Sequence, residues 1–254
     1  MTDMKLTGKV AIVTGAGNGI GRAISTAFAM AGAAVMCLDL DRAAAEDAAR
    51  TITAIGGQAI AQVCDVSSEA DTRSAAAAAK AAFGGIHVLV NGAATDDPNG
   101  TILDITVPDW NRVFAVNVMG AYLMSRAALP AMIEAGGGSI IHIASQLGRV
   151  AAPNRAAYCA SKGAVIQLPK AMAVDHAAHN IRVNALSPGA IETRRLTLRF
   201  GDMETARRIA GPKHLLHRLG HPEEIAQAAV FLASDAASFM TGADMLVDGG
   251  YTTT

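Results

Sequence analysis

Short apolar runs rich in β-branched residues alternate along this chain with longer Ala-rich stretches. The short runs predict seven strands, at residues 10–13, 34–38, 58–63, 86–90, 139–143, 181–186 and 243–247. The longer stretches predict six helices, at residues 19–31, 43–55, 69–83, 107–134, 156–177 and 222–233. Because a helical stretch follows each of the first six strands, the pattern indicates βαβ units and a parallel sheet.

The predicted strands are apolar almost throughout, as is typical of strands that helices cover on both faces. A closed βα barrel has a similar length, but seven strands and a glycine-rich first turn favour an open, doubly wound α/β sheet. No linker or repeat divides the chain, so we expect a single domain over residues 1–254. The polar, Arg-rich residues 191–219 break the alternation and predict an insertion at the sheet edge where ligands bind.

The composition narrows the class of protein. Hydrophobic residues make up 51% and charged residues 17% of the chain, which excludes a disordered protein. The 21 Lys and Arg residues against 22 Asp and Glu residues give a net charge of −1, so the basic excess of a nucleic-acid-binding protein is missing. No apolar run reaches the roughly 18 residues of a membrane span, and no signal-peptide pattern is visible. We therefore expect no nucleic-acid or membrane partner.

Neither the cysteines nor the histidines indicate a metal site. Cys37, Cys64 and Cys159 are scattered and form no CxxC pair, which fits a reducing cytoplasm. His214, His217 and His221 have helical spacing, but no Cys or acidic residue joins them and a proline follows at once. We expect a cytoplasmic protein without a bound metal.

A glycine-rich loop follows the first predicted strand and opens the first helix. Gly15, Gly19 and Gly21 let the backbone turn tightly and approach a phosphate, and the helix N-terminus offers free N–H groups to that phosphate. The spacing is GxxxGxG, because Ile20 stands where the last glycine of a GxGxxG motif would fall. Taken alone, such a loop is also explained by a structural turn, but its place between strand and helix favours a dinucleotide site.

Asp39 ends the second predicted strand and bears on the choice of cofactor. A carboxylate there accepts hydrogen bonds from the adenosine ribose and repels a 2′-phosphate. Asn18 and Leu40 stand where a 2′-phosphate would need a basic side chain. These positions favour NAD over NADP, and Asp41 is expected to cap the following helix.

Tyr158 and Lys162 are spaced i, i+4, so a helix places them on one face. A free phenol has a pKa of about 10, too high for a base at neutral pH. An ammonium about 4 Å away, at an effective dielectric constant near 20, contributes about 4 kcal/mol or about three pKa units. That shift brings the phenol into the working range of a general base.

The order and spacing of these motifs resemble the short-chain dehydrogenase/reductase family in its single-domain form. The resemblance rests on residues 14–21, Asp39, residues 65–66, residues 91–94, Asn117, Ser145, Tyr158, Lys162, residues 188–189 and residues 248–250. It covers essentially the whole chain and implies a Rossmann-type fold. Two departures stand out: residues 91–94 read Asn-Gly-Ala-Ala instead of Asn-Asn-Ala-Gly, and Pro169 should kink the catalytic helix.

The resemblance implies the roles of individual residues. Tyr158 is similar to the family's acid/base, Lys162 to the residue that lowers its pKa and holds the nicotinamide ribose, and Ser145 to the hydroxyl that polarises the carbonyl. Asn117 resembles the residue whose neighbourhood holds a proton-relay water. The implied cofactor contacts are Gly15, Asn18, Gly19, Ile20, Gly21, Asp39, Leu40, Asp65, Val66, Asn91, Ala93, Tyr158, Lys162, Pro188, Gly189, Ile191 and Thr193.

We expect an NAD-dependent dehydrogenase of a small secondary alcohol or the matching ketone, and the resemblance implies a homotetramer. A 3-oxoacyl-thioester reductase shares the motifs and is the alternative, although Asp39 argues against NADPH. A cofactor-binding regulator without turnover is a third possibility, and an enoyl reductase would need a longer Tyr-to-Lys spacing.

Gln146, Asn154 and Arg155 flank the catalytic residues, and Arg194 and Arg195 follow Thr193, so these five are candidate substrate contacts. The Arg-rich residues 191–219 either attract an anionic substrate or form a solvated helix face.

Overall fold

The computed structural model describes residues 4–95 and 98–253, and its seven strands form one sheet. The strands are β1 (Val10–Thr14), β2 (Ala34–Asp39), β3 (Gln58–Val63), β4 (Val88–Asn91), β5 (Gly138–Ile143), β6 (Ile181–Pro188) and β7 (Asp244–Val247). Every neighbouring pair is parallel, and the order is β3-β2-β1-β4-β5-β6-β7. The predicted doubly wound parallel sheet is therefore confirmed.

Nine α-helices are present in the described residues. They are α1 (Gly19–Met30), α2 (Arg42–Ala54), α3 (Glu69–Phe83), α4 (Val107–Phe114), α5 (Gly120–Glu134), α6 (Ala156–His176), α7 (Arg194–Phe200), α8 (Met203–Ala210) and α9 (Pro222–Ala233). Several begin at a residue whose side chain accepts a backbone N–H: Asp41 caps α2 as predicted, Ser68 caps α3 and Thr106 caps α4.

Helices cover both faces of the sheet, which explains why the strands lack an alternating polar face. One core layer joins the sheet to α1, α2 and α9, with Phe28 and Ile225 fully buried. The opposite layer joins it to α3, α5 and α6, with Met124 and Met132 fully buried. The stretch from α4 to α5 is the only described helical stretch long and apolar enough to cross a membrane. Its buried methionines pack in the protein core instead.

The strand order reverses between β1 and β4, which are neighbours although far apart in sequence. The loops after these two strands therefore diverge and leave a crevice at the carboxyl edge of the sheet. The loops after β5 and β6 end at the same edge. All four loops carry candidate cofactor-binding or catalytic residues, so the topology brings these residues together at one edge.

Two elements differ in detail from the sequence-based expectation. The helix expected at residues 107–134 is interrupted by a π-helical turn at Ala115–Met119, which separates α4 from α5. Residues 191–219 contain the two short helices α7 and α8. Pro169 lies inside α6, which begins and ends close to the predicted helix, and the kink expected at this residue stays a prediction.

Candidate active site

A cavity of about 900 Å³ opens at the carboxyl edge of the sheet. It extends from the ends of β2 and β3 to the first turns of α6 and α7. Of the expected cofactor contacts, Gly15, Asn18, Gly19, Ile20, Gly21, Asp39, Leu40, Asp65, Val66, Ala93, Tyr158, Lys162, Pro188, Gly189, Ile191 and Thr193 line it. So do Ser145 and the substrate candidates Gln146, Arg155, Arg194 and Arg195. The topology thus brings together nearly all of the residues that the sequence marks.

Three expected site residues do not line this cavity. Asn91 is buried, and its side-chain amide donates to the Ser125 hydroxyl on α5 at 3.0 Å. Asn117 lies in the π-helical turn, where its amide donates to Ser161 at 3.0 Å. Asn154 is exposed with a φ of 60°, and its backbone carbonyl accepts from Gly100.

The loop after β1 is built for close approach of a ligand to the backbone. Gly15 and Gly19 have positive φ values of 68° and 53°, which side chains with a Cβ rarely adopt. A Cβ at Gly21 would lie 2.1 Å from the Gly15 carbonyl oxygen, so only glycine fits there. The side chain of Asn18 does not cap α1, which leaves the N–H groups of its first turn available. This cradle fits the phosphates of a dinucleotide.

Asp39 stands at the far end of the cavity with a fixed carboxylate. Its Oδ2 atom accepts from the Gly17 backbone N–H at 2.9 Å, and its Oδ1 atom accepts from the Asp41 N–H at 3.0 Å. These bonds hold the carboxylate between the glycine loop and the start of α2. A negative charge therefore borders the expected position of the adenosine ribose.

The loop after β4 is held against β1 by one hydroxyl. Thr14 Oγ1 accepts from the backbone N–H groups of Gly92 and Ala93 at 3.0 and 3.1 Å. The unusual Gly92 fits because a Cβ there would lie 2.8 Å from the Thr14 carbonyl oxygen. Gly92, Ala93 and Ala94 all line the cavity, so the altered Asn-Gly-Ala-Ala loop still faces the ligand space.

Tyr158 and Lys162 lie on one face of α6 at the other end of the cavity. Tyr158 is 8% exposed and Lys162 is 3% exposed. The Lys162 Nζ atom donates to the Ile143 carbonyl at 2.6 Å and lies 5.7 Å from the centroid of the Tyr158 ring. Ser145 follows β5, and its Oγ atom accepts from the Leu147 N–H at 3.1 Å.

The surroundings of Tyr158 favour its ionised form. Burial would raise the pKa of the phenol, but the charges of Lys162 and Arg195, the Ser145 hydroxyl and the charge of Arg155 together lower it below the ordinary value. Burial also lowers the pKa of Lys162, which the Tyr158 phenolate partly offsets. The Tyr158 phenol is therefore easier to deprotonate than a free phenol, as a general base requires.

Asn117 connects this site to the loop after β4. Its Oδ1 atom accepts from the Thr95 N–H at 3.2 Å, opposite the bond that its amide makes to Ser161 on α6. The π-helical turn places this side chain between the two elements. A small void of about 10 Å³ is lined by Asn117, Asn91 and Lys162, which is about the size of one water site.

Two arginines flank the Tyr158 ring. The Arg155 guanidinium carbon lies 4.7 Å and the Arg195 guanidinium carbon 5.6 Å from the ring centroid. Arg199 and Lys213 also line the cavity, although the sequence analysis did not single them out as contacts. Arg199 could have been found, because it lies one helical turn after Arg195 and shares its face.

The chain is similar to known proteins over nearly its whole length. Residues 15–252 match the family described as enoyl-(acyl carrier protein) reductase. The D-threitol dehydrogenase of Mycolicibacterium smegmatis is 41% identical over 251 residues, which cover 98% of this chain and 95% of that protein.

Two solved structures are similar over nearly their whole length. A short-chain type dehydrogenase/reductase from Mycobacterium marinum has a TM-score of 0.92 and 37% identity, with 99% of this chain and 98% of that chain covered. A 7α-hydroxysteroid dehydrogenase, solved in complex with NADH and 7-oxo glycochenodeoxycholic acid, has a TM-score of 0.91 and 37% identity over 97% of this chain and 95% of that chain. The protein is thus an oxidoreductase that belongs to the short-chain dehydrogenase/reductase family.

Proposed function

We propose that this protein is an NAD-dependent dehydrogenase that oxidises a secondary alcohol to a ketone or catalyses the reverse reduction. The observation that carries the proposal is the buried Tyr158 beside Lys162 and Ser145, at the end of a cavity whose other end is a glycine cradle. The relatives named for D-threitol and for a 7α-hydroxysteroid support a hydroxyl-bearing substrate.

The residues divide the chemistry among themselves. The bound nicotinamide would supply the hydride acceptor for the carbinol carbon. Tyr158 takes the hydroxyl proton as general base, because the Lys162 charge lowers the pKa of its phenol. Ser145 orients the substrate oxygen, and Lys162 is held in place by the Ile143 carbonyl. The void beside Asn117 has room for one water through which the proton leaves.

The choice of NAD rests on Asp39. Its carboxylate is fixed by the Gly17 N–H at the adenosine end, where it would accept bonds from ribose hydroxyls and repel a 2′-phosphate. The complex of the hydroxysteroid dehydrogenase with NADH supports the same choice. A 3-oxoacyl-thioester reductase would use the same catalytic residues, but Asp39 disfavours the NADPH that such enzymes usually take.

The test is Tyr158→Phe, assayed by NADH absorbance with a panel of hydroxy acids, polyols and cyclic alcohols. Turnover should fall by about two to four orders of magnitude, the usual share of a general acid/base, while NADH still binds. The matched control is Tyr122→Phe, because Tyr122 lies half-exposed on α5. A Tyr158→Phe enzyme that keeps more than about a tenth of the activity would assign the base elsewhere. Cofactor binding without turnover of any alcohol by the unmodified protein would favour a regulator.

We also propose a cytoplasmic homotetramer. Apolar side chains are exposed on the long central helices, including Met119 and Tyr122 near the start of α5 and Val174 on α6, and a second copy of the chain would cover them. Cys37, Cys64 and Cys159 are free thiols, which fits a reducing compartment. Light scattering of the purified protein measures the number of copies directly.

A further inference from the structure

The side chains that line the cavity are separated by charge. The three carboxylates, Asp39, Asp41 and Asp65, all lie at the adenosine end. The end around Tyr158 is lined by cations instead: Arg155, Arg194, Arg195, Arg199 and Lys213, besides Lys162. Among the described residues, no acidic side chain lines that end. The reacting end of the cavity is therefore strongly positive in a chain whose net charge is −1.

The positive charge of residues 191–219 is not spread evenly. Arg207 makes two bonds to the Glu192 carboxylate, at 2.7 and 2.6 Å, and Arg218 makes two to Glu224, both at 2.7 Å. None of these four residues lines the cavity. The paired arginines thus lie outside the cavity, whereas Arg195, Arg199 and Lys213 line it.

Arg195, Arg199 and Lys213 form the inner group. In the part of the chain that the structure describes, none of the three pairs with a carboxylate. Arg195 donates to the Thr95 carbonyl and lies over the Tyr158 ring, and Arg199 lies one turn further along α7 with its guanidinium carbon 5.5 Å from the Phe200 ring. Lys213 follows α8 and faces the same space. Each arginine has five N–H donors, so both retain donors for a ligand.

Gln146 gives an independent sign of a polar ligand. It follows Ser145, lines the cavity and is only 6% exposed. Its Oε1 atom has no hydrogen-bond partner in the described residues. A buried acceptor without a partner is rare in folded proteins, since it loses its bonds to water without replacement. The atom is available to a hydrogen-bond donor on a bound molecule.

We propose that the substrate alcohol carries an anionic group, such as a carboxylate, sulfonate or phosphate, which Arg195, Arg199 and Lys213 bind. A second polar group of the same molecule donates to Gln146. This inference rests on the proposed alcohol oxidation at Tyr158 and defines its substrate class. Arg199 and Lys213 are exposed and Arg195 is half-buried, so Arg195 should make the strongest charge-assisted contact with the anion.

A competing explanation is that these cations hold the pyrophosphate of the cofactor. Thr193 packs closely against the glycine loop, since a Cβ at Gly19 would lie only 3.0 Å from the Thr193 methyl carbon. The start of α7 therefore borders the phosphate cradle. Arg199 and Lys213 lie further along the chain from this cradle. If they bind the substrate, their removal should weaken a charged alcohol more than a neutral one, which a role at the pyrophosphate does not predict.

The experiment compares each hydroxy acid with its own carboxamide. Suitable pairs are 3-hydroxybutyrate with 3-hydroxybutyramide, and cis-4-hydroxycyclohexanecarboxylate with its carboxamide. We expect kcat/KM for the preferred acid to exceed that for its amide at least tenfold, which corresponds to about 1.4 kcal/mol. The preference should weaken at high salt. Amides that are oxidised as well as their acids would overturn the inference while leaving the proposed oxidation of alcohols intact.

The variant Arg199→Ala/Lys213→Ala tests the residues and spares the neighbours of Tyr158. It should raise KM for the acid about tenfold or more and leave kcat for the acid nearly unchanged. The kcat/KM for the amide and the Kd of NADH should both stay nearly unchanged. Arg208→Ala is the matched control, because Arg208 is exposed on α8 and does not line the cavity. A parallel loss of NADH affinity would assign the cations to the cofactor and overturn the inference.

A binding measurement separates this inference from the proposed function. If no alcohol of the panel is oxidised, the proposed function fails, and calorimetric titration of the NADH complex with each acid and its amide still decides the anion site. Binding of the acid but not the amide, lost in Arg199→Ala/Lys213→Ala, would support the site. Absence of acid binding would overturn it.

Discussion

Removing the Arg195 charge should raise the pKa of the catalytic phenol. The Arg195 guanidinium carbon lies 5.6 Å from the Tyr158 ring centroid. At an effective dielectric constant of about 20, two unit charges about 6 Å apart interact by about 3 kcal/mol. Arg195 is partly exposed, so solvent screening reduces the effect. We expect Arg195→Leu to raise the pKa of the Tyr158 phenol, because the ionised form loses the attraction of a neighbouring cation.

The assay is the pH dependence of kcat/KM for oxidation of a neutral secondary alcohol. Oxidation needs the deprotonated phenol, so activity rises with pH through the pKa and reaches a plateau above it. The rising limb should therefore move to higher pH, and activity on that limb should fall severalfold, up to about tenfold, at a fixed pH. A neutral substrate is essential, because a bound anion would itself offset the charge of Arg195.

Two further variants separate charge from geometry. Arg195→Lys keeps the cation but cannot reproduce the guanidinium bond to the Thr95 carbonyl, so it should restore the original limb if charge is what matters. Arg208→Leu removes a cation from the same segment away from the cavity and should leave the profile unchanged. An Arg195→Leu profile that coincides with the original, or that moves to lower pH, would refute the electrostatic reasoning.

Two predictions concern the cofactor end of the cavity. The unmodified protein should prefer NAD over NADP at least tenfold in kcat/KM, about 1.4 kcal/mol, and Asp39→Ala should narrow that preference; equal use of both cofactors by the unmodified protein would contradict the role of Asp39. Gly21→Ala should weaken NADH binding at least about tenfold in fluorescence titrations, because the new Cβ would lie 2.1 Å from the Gly15 carbonyl oxygen and displace the cradle. Gly163→Ala is its control, since a Cβ there meets nothing closer than 3.6 Å, and equal NADH affinity in both variants would contradict the argument.

Much of the fold is accessible from sequence because its signals are local. Apolar runs separated by helical stretches predict the parallel sheet, and Asp41 is recognisable as a cap from its place before α2. Tyr158 and Lys162 are found because helical spacing alone places them on one face. The glycine positions are found because a tight turn and a close backbone approach restrict the residue type.

The parts that sequence reasoning missed depend on contacts between distant segments. The π-helical turn is not visible in the apolar pattern, because it accompanies the bonds from Asn117 to Thr95 and Ser161. Likewise, nothing local says that Arg207 pairs with Glu192 while Arg199 faces the cavity. Charge counting over residues 191–219 therefore gave the right sign for the segment without separating its inner cations from its outer ones.

The contacts of α7 with two loops bear on the order in which ligands bind and leave. Through Thr193 the helix touches the loop after β1, and through Arg195 it bonds to the loop after β4. The cleft that the dinucleotide is expected to occupy lies between those two loops, so α7 bridges its two sides. We expect a dinucleotide to enter and leave this cleft only when α7 moves away from the two loops, whereas a small alcohol exchanges while the cofactor stays. Turnover would thus be paced by departure of the reduced cofactor, and product-inhibition kinetics should show a compulsory sequence with the cofactor first in and last out.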